Sequence, residues 1–102
     1  MAIRIPNRVL EAVVLSVLKE EPLYGYALTK KIQLQLPISD STTYPILRRL
    51  EQKDLVTTRS KVFAERVRKY YELTDSGQLY LKEACADWQL FSNQINALLG
   101  EH

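Results

Sequence analysis

Little in this chain could carry covalent chemistry. Its 102 residues include one cysteine, Cys85, and one histidine, His102, so it has no internal disulfide, no Cys–His catalytic pair and no cluster of metal ligands. The three glycines form neither a phosphate-cradling loop nor a nucleophile elbow. An enzyme is therefore not expected, and neither a metal nor a cofactor is implied. No apolar run approaches the roughly 18 residues that a membrane-spanning helix needs, and Met1 to Pro6 lacks a signal-peptide layout. A cytoplasmic protein without a membrane partner is the expectation, and Cys85 is expected to act as a small buried hydrophobe.

What is present is a foldable, charge-segregated sequence. Apolar residues make up 46% and charged residues 25%, with only four prolines, the balance of a single folded domain. Residues 1–71 carry 13 basic and 7 acidic side chains, net +6, while residues 72–102 carry one basic and five acidic, net −4. Eight of the basic residues fall between Arg48 and Lys69. Such a stretch suits a polyanion-binding surface, although scattered solvated charge would also satisfy the count.

Periodicity divides the chain into short elements. Asn7 is expected to cap a first helix that ends before Glu21-Pro22 and is apolar around most of its circumference, as a helix covered on several sides would be. After Pro22, the spacing of Tyr24, Leu28 and Ile32 predicts a second helix. The capping types Ser39 to Thr42 introduce a third over Thr43–Gln52. Its inner stripe would be Thr43, Ile46, Leu47 and Leu50, which leaves Ser41, Thr42, Tyr44, Pro45, Arg48, Arg49 and Gln52 outward. Residues 55–60 and 67–73 are β-branched and aromatic and predict a hairpin, joined by Lys61 to Arg66 without turn residues.

From the caps at Thr74, Asp75 and Ser76, nothing interrupts a last helix before Gly100. Within it Leu81, Ala84, Trp88, Phe91, Ile95 and Leu98 repeat at alternating spacings of three and four, the seam of a helix packed on another helix. No other segment is free to cover that surface. A second copy of the chain related by two-fold symmetry is the economical partner, with Val9 and Val13 of the first helix beside the seam. Trp88 reads two ways: as core, or with Phe91 as one wall of a flat slot for a small aromatic effector between subunits.

The fold class that results is mainly α with a small β-hairpin: a winged helix-turn-helix over residues 1–73 and a long dimerisation helix over 74–102. In that order of elements the third helix enters a major groove, and the hairpin lies along the backbone or minor groove. Ser41 and Thr42 can hold phosphate oxygens, Tyr44 can donate to phosphate or pack on sugar, and Arg48 and Arg49 can reach phosphates or fork onto a guanine edge. Arg59, Lys61, Arg66, Arg68 and Lys69 would supply the counterions of the wing. A winged module that docks on an acidic protein without specific DNA binding is the alternative.

Three blocks carry a family resemblance: Leu23-Tyr24-Gly25-Tyr26-Ala27-Leu28, Ser41 to Glu51, and Arg68 to Gly77. Together and in this order they resemble the PadR-type transcriptional regulators over nearly the whole chain. The resemblance implies a winged helix-turn-helix, a homodimer made through the first and last helices, and repression of a nearby operon; two third helices about 34–36 Å apart would then call for a roughly palindromic site on double-stranded DNA. The single C-terminal helix is similar to that of short-tailed members that respond to phenolic acids or flat aromatic drugs, and Trp88 stands where the multidrug-binding members place a tryptophan. Two departures are visible. Asp54 replaces the usual glycine after the third helix, and Val62 and Phe63 replace a glycine-rich wing tip.

Overall fold

The computed structural model describes residues 3–100. The elements run α1 (Asn7–Glu20), β1 (Leu23–Tyr24), α2 (Gly25–Gln33), α3 (Thr43–Gln52), β2 (Val56–Phe63), β3 (Arg66–Leu73) and α4 (Asp75–Leu99). The three strands form one antiparallel sheet in the order β1-β3-β2. This is the expected mainly helical winged arrangement with a long last helix. Its extents of 54 × 31 × 20 Å and radius of gyration of 15.1 Å exceed the roughly 13 Å of a compact 100-residue chain because α4 runs past the head. Among the described residues, no helix is long and apolar enough to cross a membrane.

The core gathers on α1, which packs against α2, α3, α4 and β3. Leu10, Val14, Leu15 and Leu18 form its buried face, met by Leu28 and Ile32 of α2, Ile46, Leu47 and Leu50 of α3, and Leu81 of α4. Each fully buried leucine contributes about 1.5–3 kcal/mol of apolar burial. The inner stripe of α3 is the expected one, Thr43 included. Pro45 occupies the third helical position, where its missing N–H breaks no intrahelical bond.

The start of α1 and the sheet differ from expectation. Asn7 lies inside α1, and Pro6 takes the cap position without a side-chain bond; the Pro6 carbonyl accepts from Val9 and Leu10, both at 3.0 Å. Leu23 and Tyr24, expected in the second helix, instead pair with Tyr71 and Tyr70 as an edge strand. The hairpin is also longer than its composition suggested. Lys61–Phe63 and Arg66 belong to the strands, and only Ala64 and Glu65 make the turn, with φ of 50° and 64°. Two positive φ values in a two-residue loop are the type I′ geometry, which matches strand twist even though neither residue is a preferred one.

A compact joint links α3 to α4. Asp54, which stands where the family resemblance leads one to expect glycine, sits at φ 59°, in the left-handed region. Leu55 N–H donates to the Leu50 carbonyl at 2.9 Å and Asp54 N–H to that of Glu51 at 3.0 Å, the paired bonds of a Schellman cap. Thr74 then donates its hydroxyl to the Asp54 carbonyl at 2.8 Å and its N–H to the Leu55 carbonyl at 3.2 Å, while its Oγ1 accepts from Gly77 N–H at 2.9 Å. The backbone of Gly77 lies so near this joint that a Cβ there would stand 2.1 Å from the Leu55 carbonyl oxygen. Only glycine lets α4 begin this close to the end of α3.

Candidate nucleic-acid interface

The face of α3 opposite the core carries the expected small-polar, aromatic and cationic side chains, and Ser41, Tyr44, Pro45, Arg48 and Gln52 are exposed on it. At its start the Ser39 hydroxyl lies 2.7 Å from that of Thr42 and 3.2 Å from that of Ser41. No side chain caps the helix, so the first-turn N–H groups and the positive end of the helix dipole are left without a side-chain partner. Tyr44 lies across the start of α2, where a Cβ on residue 25 would come within 2.6 Å of its ring. Gly25 is thus the residue that seats the Tyr44 ring. Among the described residues Arg48 forms no ion pair.

Arg49 differs. It was expected outward beside Arg48, but its side chain turns toward α1, where Nε lies 3.9 Å from the carboxylate of Glu11 and Nη2 is buried without a hydrogen-bond partner. Glu11 is only 5% exposed. It accepts from the Tyr80 hydroxyl at 2.6 Å and lies 3.5 Å from Lys53 Nζ. A carboxylate this buried needs such partners, and it ties α1, α3 and α4 together at one point. The signal was present in the sequence, since Glu11 is the one acid within the apolar body of the first helix.

The wing adds a second surface. Alternate residues of a strand share a face, and the register pairs Lys61 with Arg68, Arg59 with Tyr70 and Phe63 with Arg66. One face of the β2–β3 ribbon therefore carries Arg59, Lys61 and Phe63 beside Arg66, Arg68 and Tyr70. The Arg68 guanidinium lies 4.4 Å from the ring centres of both Tyr24 and Phe63. Lys61 lies 5.2 Å from the Tyr70 ring, and Lys30 lies 5.2 Å from that of Tyr26. Tyr24 stacks on Tyr26 at 6.4 Å and meets Tyr70 edge-on at 5.5 Å. Rings hold the cations in place without neutralising them. Because Gly25 lies between Tyr24 and Tyr26 and seats Tyr44, the ribbon face continues into the start of α3.

Not all the expected wing cations stand free. Arg59 bonds both oxygens of Glu72 at 3.0 and 3.1 Å, and Lys69, on the opposite ribbon face, lies 3.3 Å from Glu51. Both pairs are exposed, worth about 0–1 kcal/mol, and phosphates can displace such partners. Tyr24, Tyr26, Lys30 and Tyr70, which the sequence did not single out, join this surface because Tyr24 lies in β1, a strand that was not foreseen, and not in a helix. Lys30 is further fixed by Asp40 at 3.3 Å, and hydrogen bonds from Gln33 and then from Lys30 hold the Asp40 carboxyl below the usual carboxylate range.

The long helix presents a separate surface. Leu81 and Ala84, expected on an intersubunit seam, are buried inside the protomer instead, because α1 covers the first half of α4. Cys85, expected to be buried, is exposed, since it lies about 100° around the helix from Ala84. Beyond that point Trp88, Phe91, Ile95 and Leu98 are uncovered. The Trp88 and Phe91 rings lie 6.3 Å apart at 47°. Trp88 borders two hollows, one of about 230 Å³ shared with Pro6, Val9 and Phe91 and one of about 420 Å³ shared with Val13, Val17 and Cys85. At the edge of the first, Arg8 bonds Asp87 at 2.8 Å, which holds the guanidinium pKa above its ordinary value.

Comparison with known proteins agrees with this arrangement. The family profile described as "Transcriptional regulator PadR-like family" matches residues 14–83. An uncharacterized protein of Lysinibacillus sphaericus is 30% identical over 84 residues, covering 78% of this chain and 77% of that protein. A crystal structure from Streptococcus mutans UA159 superposes with a TM-score of 0.87 at 30% identity, covering 100% of this chain and 99% of the other. A PadR-like transcriptional regulator from Bacillus cereus gives 0.81 at 32% identity, with 92% and 94% covered.

Proposed function

The chain belongs to the PadR-like family of transcriptional regulators and is a DNA-binding transcription regulator rather than an enzyme; from that premise we propose a homodimeric repressor of a roughly palindromic operator. Residues 1–73 supply the DNA-reading unit and 74–102 the dimerisation helix, whose first turns also complete the core. The observation that carries the reading is the continuity of polar and cationic groups from the Ser41 and Thr42 hydroxyls through Tyr44 and the ion-pair-free Arg48 of α3, across the seat of Tyr44 on Gly25, to the ring-held cations of the wing. Arg48 and Tyr44 enter the major groove. Lys61, Arg66 and Arg68 follow the flanking backbone, joined by Arg59 and Lys69 once phosphate replaces Glu72 and Glu51.

Two chains clasp through Trp88, Phe91, Ile95 and Leu98 of α4, with Val9 and Val13 of α1 alongside, which sets the two α3 helices about 34–36 Å apart for successive major grooves. A small aromatic effector enters the hollows beside Trp88 and Phe91. The angle between the two α4 helices reaches α3 through the Thr74–Asp54 joint and the Glu11 node, so an effector that prefers another angle lowers DNA affinity by that preference and no more.

Gel shifts on duplexes taken from the DNA flanking the coding region test the reading. Arg48→Ala should weaken binding about tenfold or more and leave the dimer intact. Unchanged binding when Arg48→Ala and Arg49→Ala are combined would remove α3 as the reader. Trp88 is the sole tryptophan, so quenching of its fluorescence by aromatic compounds, weakened in Phe91→Ala, supports the effector site; an unresponsive Trp88 across a diverse aromatic panel contradicts it.

A further inference from the structure

Arg48 and Arg49 are neighbours on α3 with different surroundings. The inner stripe of the helix is Thr43, Ile46, Leu47 and Leu50. At about 100° per residue Arg48 points nearly opposite that stripe, whereas Arg49 stands at its border, where a long side chain can turn toward DNA or toward the core. Lys53, one turn further on, shares the border. Both turn inward. Arg49 Nε lies 3.9 Å and Lys53 Nζ 3.5 Å from the same oxygen of Glu11, Oε2, while Oε1 accepts from the Tyr80 hydroxyl at 2.6 Å. The Tyr80 ring is itself flanked by cations, the Arg8 guanidinium at 4.6 Å and Lys53 Nζ at 5.7 Å from its centre.

We propose that Glu11 is a positioning residue that keeps Arg49 off the DNA, an inference that rests on the DNA-binding reading above. The wing supplies the contrast. Arg59 and Lys69 are paired with acids whose side chains are 36% exposed, so water takes over the freed carboxylate when a phosphate captures the cation. Glu11 is buried and has no such recourse. Withdrawing Arg49 would leave a buried carboxylate short of countercharge, and a buried pair resists being broken from one side. A phosphate therefore does not win Arg49 away. Charge is also what holds the inward pose, because Arg49 Nη2 is buried without a hydrogen-bond partner, a penalty that the attraction to Glu11 must offset. The Arg49 side chain is still 39% exposed, so the route outward is open. Without the Glu11 charge the balance tips, and the guanidinium swings out on the side of Arg48. There it meets a phosphate on any sequence, or a guanine out of register with the one Arg48 reads. Such contacts strengthen wrong complexes most, because nothing else holds α3 in register on them. Glu11 thus limits α3 to one reading arginine and sets how many phosphates the head neutralises. Lys53 stays behind, since it keeps its place on the Tyr80 ring.

The test uses the full-length protein, an operator duplex selected from random DNA by the wild-type chain, and a scrambled duplex of the same length. Arg49→Ala should keep the wild-type slope of log affinity against log salt, because no phosphate contact is lost. Glu11→Gln should steepen that slope by about 0.9, one added phosphate contact, and lower the preference for operator over scrambled duplex about fivefold. Adding Arg49→Ala to Glu11→Gln should restore the wild-type slope and preference, which a mere loss of packing would not do. A slope about 0.9 shallower for Arg49→Ala alone would overturn the proposal, since Arg49 would then already sit on a phosphate. So would a Glu11→Gln slope equal to that of the wild type, or one that Arg49→Ala fails to restore. Melting temperatures keep each measurement below the transition of its variant, and if Glu11→Gln does not fold, the slope for Arg49→Ala alone decides. If random DNA yields no preferred duplex, or Arg48→Ala binds as the wild type does, the DNA-reading proposal fails instead, so the two failures are distinguishable.

Discussion

The two halves of α4 carry the same apolar spacing and meet opposite fates. From Gly77 to Ala84 the helix is locked into the head, with Gly77 against the Leu55 carbonyl and Leu81 and Ala84 beneath α1. From Trp88 to Leu98 the same pattern is left 37–82% exposed. A heptad repeat states that a helix will be covered along one stripe; it does not state by which chain. The buried half anchors α4 to the reading head, and the bare half makes that anchoring useful, because any partner gripping it holds α3 as well.

The contrast can be broken most severely at its buried end. Gly77→Ala forces a Cβ against backbone and should cost about 3–5 kcal/mol, seen as a large fall in melting temperature or failure to fold. Leu81→Ala opens a cavity in the same half and should cost about 2–4 kcal/mol, measured by urea unfolding. In the bare half, Leu98→Asp should leave the far-UV circular dichroism of the protomer intact while raising the dimer dissociation constant about 100-fold, or about 3 kcal/mol. A protomer that unfolds on Leu98→Asp would erase the distinction between the halves. Glu11→Gln should cost about 1–3 kcal/mol, because Arg49 and Lys53 lose a buried countercharge. The smallest effect runs the other way: Asp54→Gly should stabilise by about 0.5–1 kcal/mol, since glycine adopts φ 59° without strain.

Much of the head was legible because helices announce themselves locally. The 3.6-residue rhythm gave the buried stripe of α3 to the residue, and the run of capping types Thr74 to Ser76 marked the start of α4, which Thr74 caps. What escaped depended on distant partners or on side-chain reach. β1 is two residues long and exists only by pairing with Tyr70 and Tyr71, far along the chain. The turn at Ala64-Glu65 lacks the usual turn residues, so its position could not be read. Arg49 is outward by its angle on the helix, yet its long side chain folds back to Glu11. Leu81 and Ala84 were correct as a stripe but covered by their own α1, and with that cover in place Cys85 falls outside. The candidate interface was legible in its cations; the rings that brace them became visible only once the sheet brought Tyr24, Tyr70 and Arg68 together.

The mass of the complex formed on one operator duplex, measured by sedimentation for the wild type and for Leu98→Asp, tests most directly the claim that the bare half of α4 joins two heads for one reading event. Two wild-type chains per duplex, with no stable complex from the variant at the same concentration, is the expected result. One chain per duplex, held equally well by wild type and variant, would contradict it.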